Sequence, residues 1–207
     1  MSLDELKQNT EKFLSSQKVG INEHLPLIEG LSEVTPLDAK TVSKKLCSLT
    51  YIIGLGYGAK QTELIDFLTK YNLFDAVSAN EKKLLFSETL SEQGKINCTW
   101  LTESAQALAW CLRLVELDNF THCDDDLIEK IPMQEDPEEF INSSELRPII
   151  EIQAMSDQLY RLHWFAVNCR KKSTDCFYSE SIIRERRRAI DWVYGTDTNW
   201  DEVPTDT

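Results

Sequence analysis

The chain has 207 residues, of which 42% are hydrophobic and 28% are charged, and its formal net charge is −13 at pH 7. This composition is typical of a folded globular chain and allows one large domain or two small ones. The excess of acid disfavours binding to nucleic-acid phosphates or to anionic membranes and favours basic partners.

The N-terminus, the longest apolar run and the cysteines bear on the localisation of the protein. The N-terminus lacks the basic and apolar regions of a signal peptide, and the longest apolar run, at 107–112, is too short to cross a bilayer. The six cysteines are scattered without C-x-x-C spacing, which is typical of reduced thiols. We therefore expect a cytoplasmic protein.

The spacing of apolar residues predicts helices along the chain and no sustained strand. The expected fold is all-α, a single globular bundle of roughly seven or eight helices with an irregular C-terminal tail packed back on the body. An N-terminal helix at 1–17 is expected to precede a helical domain at 18–207. The predicted helices cover residues 3–16, 35–53, 61–71, 78–89, 99–117, 125–131, 144–171 and 179–194.

Local signals set several of these boundaries. Thr35 and Pro36 have the form of an N-cap followed by the first helical residue. The stretch 78–81 is a capping box, whereas we interpret 93–97 as a turn. Pro148 is tolerable in the longest helix only within its first turn.

The acidic loop at 116–145 contains one base, Lys130, and two helix-breaking prolines. We expect a short helix at 125–131 and an exposed loop elsewhere, and a solvated loop without a partner is the alternative to a docking surface. Its candidate partner-binding residues are Asp118, Asp124, Asp125, Asp126, Glu129, Glu135, Asp136, Glu138 and Glu139.

A metal site at the start of this loop is disfavoured. His122, Cys123, Asp124 and Asp126 are suitable ligand types, but no second cluster is spaced to complete a site. We therefore predict no metal.

The last helix places Arg186 on its apolar side, beside Ile190. A buried guanidinium keeps its charge and needs an acceptor. Glu103, on the apolar side of the helix at 99–117, is the candidate partner. The arginines off the apolar face are either solvated or bound to the acidic tail or to the loop at 135–139; they are Arg184, Arg187 and Arg188.

A second acid–base pair lies at the edge of the longest helix's apolar stripe, where Asp157 and Arg161 are spaced i, i+4. A candidate polar network consists of Glu103, Asp157, Arg161, Arg186, Trp200 and Asp201. It either fixes the helix register or forms an inter-helical ligand site. His163 is interpreted as a hydrogen-bonded core residue. Because no arrangement supports nucleophilic catalysis, we name no catalytic residue.

Several stretches resemble one known family. They are 101–105 with Ala109-Trp110, 151–164, 185–192 and the closing Trp200-Asp201-Glu202-Val203 with Asp206-Thr207. Together they resemble the bacterial family catalogued as domain of unknown function 4272, from about residue 18 to the end. The resemblance implies a self-contained helical domain and brings no established activity and no catalytic residues.

Two hypotheses for function follow. The preferred one is a non-enzymatic interaction protein, without a cofactor, whose acidic surface binds and neutralises a basic protein partner. An immunity protein against a bacterial toxin is one concrete version. The alternative is a small-ligand or metal-dependent enzyme that uses Glu103, Asp157, Arg161 and Arg186. Neither hypothesis includes a nucleic acid or a membrane as partner.

Overall fold

The computed structural model describes all 207 residues and contains eight α-helices, two short 3-10 helices and no strand. The predicted all-α class and helix number are confirmed. The α-helices are α1 (Leu3–Ser16), α2 (Ala39–Gly56), α3 (Gln61–Lys70), α4 (Ala79–Leu85), α5 (Glu92–Cys111), α6 (Glu138–Ser143), α7 (Ile149–Lys171) and α8 (Glu180–Tyr194). The 3-10 helices are Phe74–Ala76 and Leu127–Lys130.

The first of two compact units contains α1, α7 and α8. It comprises Met1–Pro36, Asp118–Thr121 and Pro148–Thr207. Helix α7 packs along α8 and against α1, and apolar side chains such as Leu14, Leu159 and Ile190 are fully buried in it. The hydrophobic faces predicted from periodicity thus form the core of this unit.

The second unit contains α2 to α6 and comprises Leu37–Leu117 and His122–Arg147. Helix α2 packs along α5 and also contacts α3, α4 and α6. Apolar side chains of α2 and α5 such as Leu46, Ile52 and Leu108 are fully buried. Helix α2 is therefore the element on which the other helices of this unit assemble.

Capping side chains explain where several helices begin. The predicted capping box is confirmed at α4, where Ser78 accepts a hydrogen bond from the Glu81 amide and Glu81 accepts one from the Ser78 amide. The predicted start of α2 at Thr35 is wrong. The helix begins at Ala39 because the Asp38 carboxylate accepts the backbone amide of Thr41 at 2.8 Å.

Two further boundaries differ from the prediction. The stretch 93–97 is helical rather than a turn, because Ser91 caps α5 and accepts the Gly94 amide at 3.0 Å. The longest helix begins at Ile149, and Pro148 is its N-cap rather than a residue of its first turn. Proline is compatible with this position because the amide it lacks would have no partner within the helix.

The acidic loop contains more helix than predicted. The short helix expected at 125–131 is the 3-10 helix Leu127–Lys130, and the loop also contains α6, which the sequence analysis did not predict. None of the helices combines the length and the apolar composition needed to span a bilayer.

The C-terminal tail packs on α8 within the first unit, as predicted. Trp200 and Val203 are buried, and the Trp200 ring meets the Trp192 ring edge-on with centroids 5.2 Å apart. The guanidinium of Arg188 lies 4.9 Å from the centroid of the Trp200 ring. Aromatic and cation–π contacts of this kind stabilise the tail against the helix.

Gly195 ends α8 in the left-handed conformation, with φ of 89°, and an added Cβ would overlap the carbonyl oxygen of Thr35. We expect Gly195→Ala to lower the free energy of unfolding by about 3 kcal/mol or more, because strain and the backbone clash add. Gly58→Ala is the control, since Gly58 has φ of 82° and open space around it, and it should cost only about 1–2 kcal/mol. Urea unfolding measures both, and equal losses would contradict the role of the Thr35 contact.

Candidate functional site

Arg186 is the most deeply buried arginine of α8, with 1% of its surface exposed. Its Nη1 donates to the carbonyl oxygen of Asp118 at 2.6 Å and its Nη2 to that of Thr121 at 2.9 Å. These bonds hold residues 118–121 on the first unit. Glu103, in the second unit, is also buried and accepts the Cys123 amide at 3.0 Å. The pairing of Glu103 with Arg186 stays a prediction.

The structure brings Asp157 and Arg161 together on α7, as the spacing predicts. The Arg161 guanidinium donates two hydrogen bonds to the Asp157 carboxylate, at 2.8 and 3.1 Å, and both side chains are buried. Arg161 also approaches the Glu11 carboxylate of α1 at 3.4 Å and donates to the carbonyl oxygen of Pro26 at 3.3 Å. The bidentate pair is thus connected to α1 and to the loop that follows it.

The remaining members of the predicted network lie in the tail. Trp200 is buried against α8, whereas Asp201 is half-buried and its amide donates to the Asn199 side chain at 3.1 Å. Together with Asp157, Arg161 and Arg186, these two residues belong to the first unit, and Glu103 belongs to the second.

A second buried network, centred on Arg187, was missed by the sequence analysis. Arg187 is 7% exposed rather than solvated. Its Nε donates to Asp191 Oδ2 at 3.1 Å, and Ser156 Oγ donates to Asp191 Oδ1 at 2.6 Å. Arg187 Nη1 lies 3.2 Å from His163 Nδ1 and donates to the carbonyl oxygen of Asp206 at 3.0 Å. The i, i+4 spacing of Arg187 and Asp191 was the available signal.

The environment of this network shifts two pKa values in opposite directions. Burial raises the pKa of Asp191 to about 6, against the lowering effects of Arg187 and the Ser156 hydrogen bond. Burial, with a further contribution from the Arg187 charge, lowers the pKa of His163 to about 4. At pH 7 His163 is therefore neutral, and its Nδ1 accepts a hydrogen bond from Arg187.

The predicted partner-binding acids are on the surface. Every one of them is exposed, and all but Asp118 belong to the second unit. Residues 122–147 carry nine acidic and two basic residues, whereas residues 37–117 carry nine of each. The whole net charge of the second unit, −7, therefore lies in the segment 122–147.

An apolar groove of about 490 Å³ adjoins the start of this segment. Its lining includes Tyr57 and Ile128, with 72% and 50% of their surfaces exposed. The acids Asp124 and Asp125 lie along the same groove. Exposed apolar surface beside carboxylates is suited to a partner that has both apolar and basic side chains.

A wider depression, of about 810 Å³, lies at the other end of the segment, where acids face bases. Asp136 and Glu138 line it together with three lysines, Lys40, Lys44 and Lys70. These lysines offset the local charge, so the acids at 124–129 are the less compensated part of the surface.

No three His, Cys, Asp or Glu side chains lie close enough together to hold a metal ion. The His122 side chain is largely exposed and lies 3.9 Å from the Glu103 carboxylate. All six cysteines are free thiols, and four of them are buried.

These features define an all-helical protein with two compact units, buried arginine networks in the first and an acidic exposed surface on the second. The profile of the family described as Domain of unknown function (DUF4272) matches residues 6–203. The chain therefore belongs to this family, which confirms the resemblance. No curated protein and no solved structure matches the chain.

Replacing Arg186 tests whether its burial holds the first unit together. We expect Arg186→Met to lower the free energy of unfolding by about 3–5 kcal/mol, because it removes two charge-assisted hydrogen bonds to the part-buried carbonyl oxygens of Asp118 and Thr121. Arg184→Met is the control, since the Arg184 side chain is 51% exposed and should change stability by less than about 0.5 kcal/mol. Chemical denaturation measures both, and a small loss at Arg186 would show that its acceptors are satisfied without it.

The lowered pKa of His163 predicts a loss of stability in acid. Its folded-state pKa, about 4, lies below its ordinary value of 6.5, so its contribution is complete above pH 6.5 and is lost as the pH falls towards 4. We expect this contribution to be about 1–2 kcal/mol after solvent screening. The raised pKa of Asp191 acts in the opposite direction.

Urea unfolding of the wild type and of His163→Gln at pH 7 and pH 4.5 isolates the contribution of His163 to the pH dependence of the free energy of unfolding. The glutamine can accept from Arg187 but does not titrate. The variant should lose less stability between the two pH values than the wild type, and parallel losses would contradict the assignment.

Proposed function

We propose that this chain is a non-enzymatic cytoplasmic interaction protein whose acidic segment binds and neutralises a basic protein partner. The observation that carries the proposal is the distribution of charge in the second unit. Residues 37–117 have no net charge, whereas residues 122–147 have a net charge of −7. Such a concentration of one sign attracts a partner of the opposite sign over several ångströms.

The exposure of the acids supports the proposal. Interior acids of the same unit are paired, as in the Lys45–Glu81 ion pair, whose nitrogen–oxygen distance is 2.7 Å. In contrast, Asp125 and Glu129 are exposed and accept no hydrogen bond, and the nearest base to Asp126 is Lys130 at 3.5 Å. Carboxylates in this condition are available to lysine and arginine side chains of a partner.

The groove beside Asp124 and Asp125 supports a specific mode of contact. Charge alone steers association and contributes little to the affinity of exposed pairs. Tyr57 and Ile128 supply apolar area that a partner can cover, and this burial would supply affinity. The partner segment we propose has aliphatic side chains for the groove flanked by lysines or arginines for its rim.

An immunity protein that blocks a basic toxin is one concrete form of this function. Inhibition would require no chemistry from the chain, only that the acidic surface cover a basic surface on the toxin. Strong electrostatic steering would also give the fast association that such an inhibitor needs.

Charge reversal at the groove tests the proposal. We expect the wild type, used as bait in source-cell lysate at low salt, to retain a basic protein that can be identified by mass spectrometry and purified. Its affinity should fall steeply with added salt, because screening shortens the range of the attraction. The combined change of Asp124, Asp125 and Asp126 to lysine should weaken binding by about a hundredfold or more.

The matched control reverses three exposed acids elsewhere in the second unit, Asp66, Asp75 and Glu88, and so changes the net charge equally. It should weaken binding far less than the groove variant. Equal weakening by the two variants would show that only the net charge of the protein matters for binding. Unchanged binding by the groove variant would show that this surface is not part of the interface.

A further inference from the structure

The first unit contains a small polar cavity, of about 220 Å³, that none of the sequence predictions included. It lies among α7, α8, the loop after α1 and the C-terminal tail. Its volume is below the range of about 300–1,000 Å³ found for drug-sized ligands. The cavity therefore suits a small molecule rather than a segment of a protein.

Buried charged side chains form its base. Arg187 and Asp191, both more than nine-tenths buried, line the cavity together with Ser156. Arg187 donates its hydrogen bonds through Nε and Nη1, to Asp191, His163 and the Asp206 carbonyl. Its Nη2 donates to no acceptor of the chain. A guanidinium nitrogen that has no acceptor and belongs to a buried side chain favours a carboxylate or another anionic oxygen in the cavity beside it.

The other lining groups limit the charge of the ligand. Glu29 and Asp206 are exposed acids at the cavity, and with Asp191 they outnumber Arg187 three to one. A simple anion would meet this negative surround, so a carboxylate ligand must also carry a positive group. The backbone of Glu29 is fixed, because its carbonyl accepts the Tyr194 hydroxyl at 2.6 Å.

We infer that this cavity binds a small zwitterion of the α-amino acid class. The ligand carboxylate is held by Nη2 of Arg187, and the ligand ammonium group lies towards Glu29 and the tail. The Tyr160 hydroxyl, which also lines the cavity and makes no hydrogen bond within the chain, is available as a second donor to the carboxylate. This site is separate from the proposed acidic surface and does not rest on it.

The test titrates the full-length protein with each of the twenty standard amino acids up to about 10 mM, by thermal shift and calorimetry, which detects millimolar binding. We expect at least one amino acid to raise the melting temperature with saturation. Its amine and carboxylic-acid counterparts, which each lack one charge, should not bind. The inference would be overturned if none of the twenty amino acids bound. It would also be overturned if a singly charged counterpart, an inorganic anion or a neutral sugar bound with saturation and the amino acids did not.

Variants locate the site. Glu29→Gln removes an exposed charge that has no structural bond and should weaken binding about tenfold. Glu23→Gln, in the same loop but away from the cavity, is the control and should leave binding unchanged. Tyr160→Phe should weaken binding about threefold to tenfold. Binding that is insensitive to both Glu29→Gln and Tyr160→Phe would place the ligand elsewhere and refute the assignment.

Discussion

The buried guanidinium groups of α8 impose the constraint on which the first unit depends. Arginine cannot lose its charge inside a protein, so each buried guanidinium requires acceptors. Arg186 obtains them from carbonyl oxygens of residues 118–121, and Arg187 from Asp191 and the tail carbonyl of Asp206. Two segments without regular secondary structure are thereby held on one helix. This explains why residues 118–121 belong to the unit of α8, although their sequence neighbours belong to the other unit.

The sequence predicts helices well where a capping signal is unambiguous and less well where two signals compete. The bounds of α1 and the end of α8 at Tyr194 agree with the prediction. At α2, Thr35 and Asp38 are both good caps, and only the bond from the Thr41 amide decides between them. At α5, Gly94 suggests a turn, yet an apolar face that packs along α2 extends the helix through it. Tertiary packing overrides local propensity in such cases.

In the candidate sites too, the features set by residues close in sequence could be predicted, and the features set by distant residues could not. The burial of Arg186 follows from its position among apolar residues one turn apart, and the Asp157–Arg161 pair follows from its spacing. The burial of Arg187 does not follow, because Arg187 lies off the apolar stripe and is covered only where the tail returns to α8. The path of the tail depends on Trp200 packing against Trp192, a contact without a periodic signal. The cavity beside Arg187 therefore could not be predicted from the sequence pattern and is visible only in the folded structure.

The pairing of charges differs between the interior and the surface, and this difference bears on function. Interior pairs such as Asp157–Arg161 and Lys45–Glu81 satisfy both partners, as expected of groups that fix helix register rather than perform chemistry. The surface acids of residues 122–147 repel one another, and this repulsion destabilises the compact second unit. The basic partner that we propose would offset this repulsion with the attraction of its own charges. Its binding would then be thermodynamically linked to the stability of this unit, which it would raise by an amount set by its affinity and concentration.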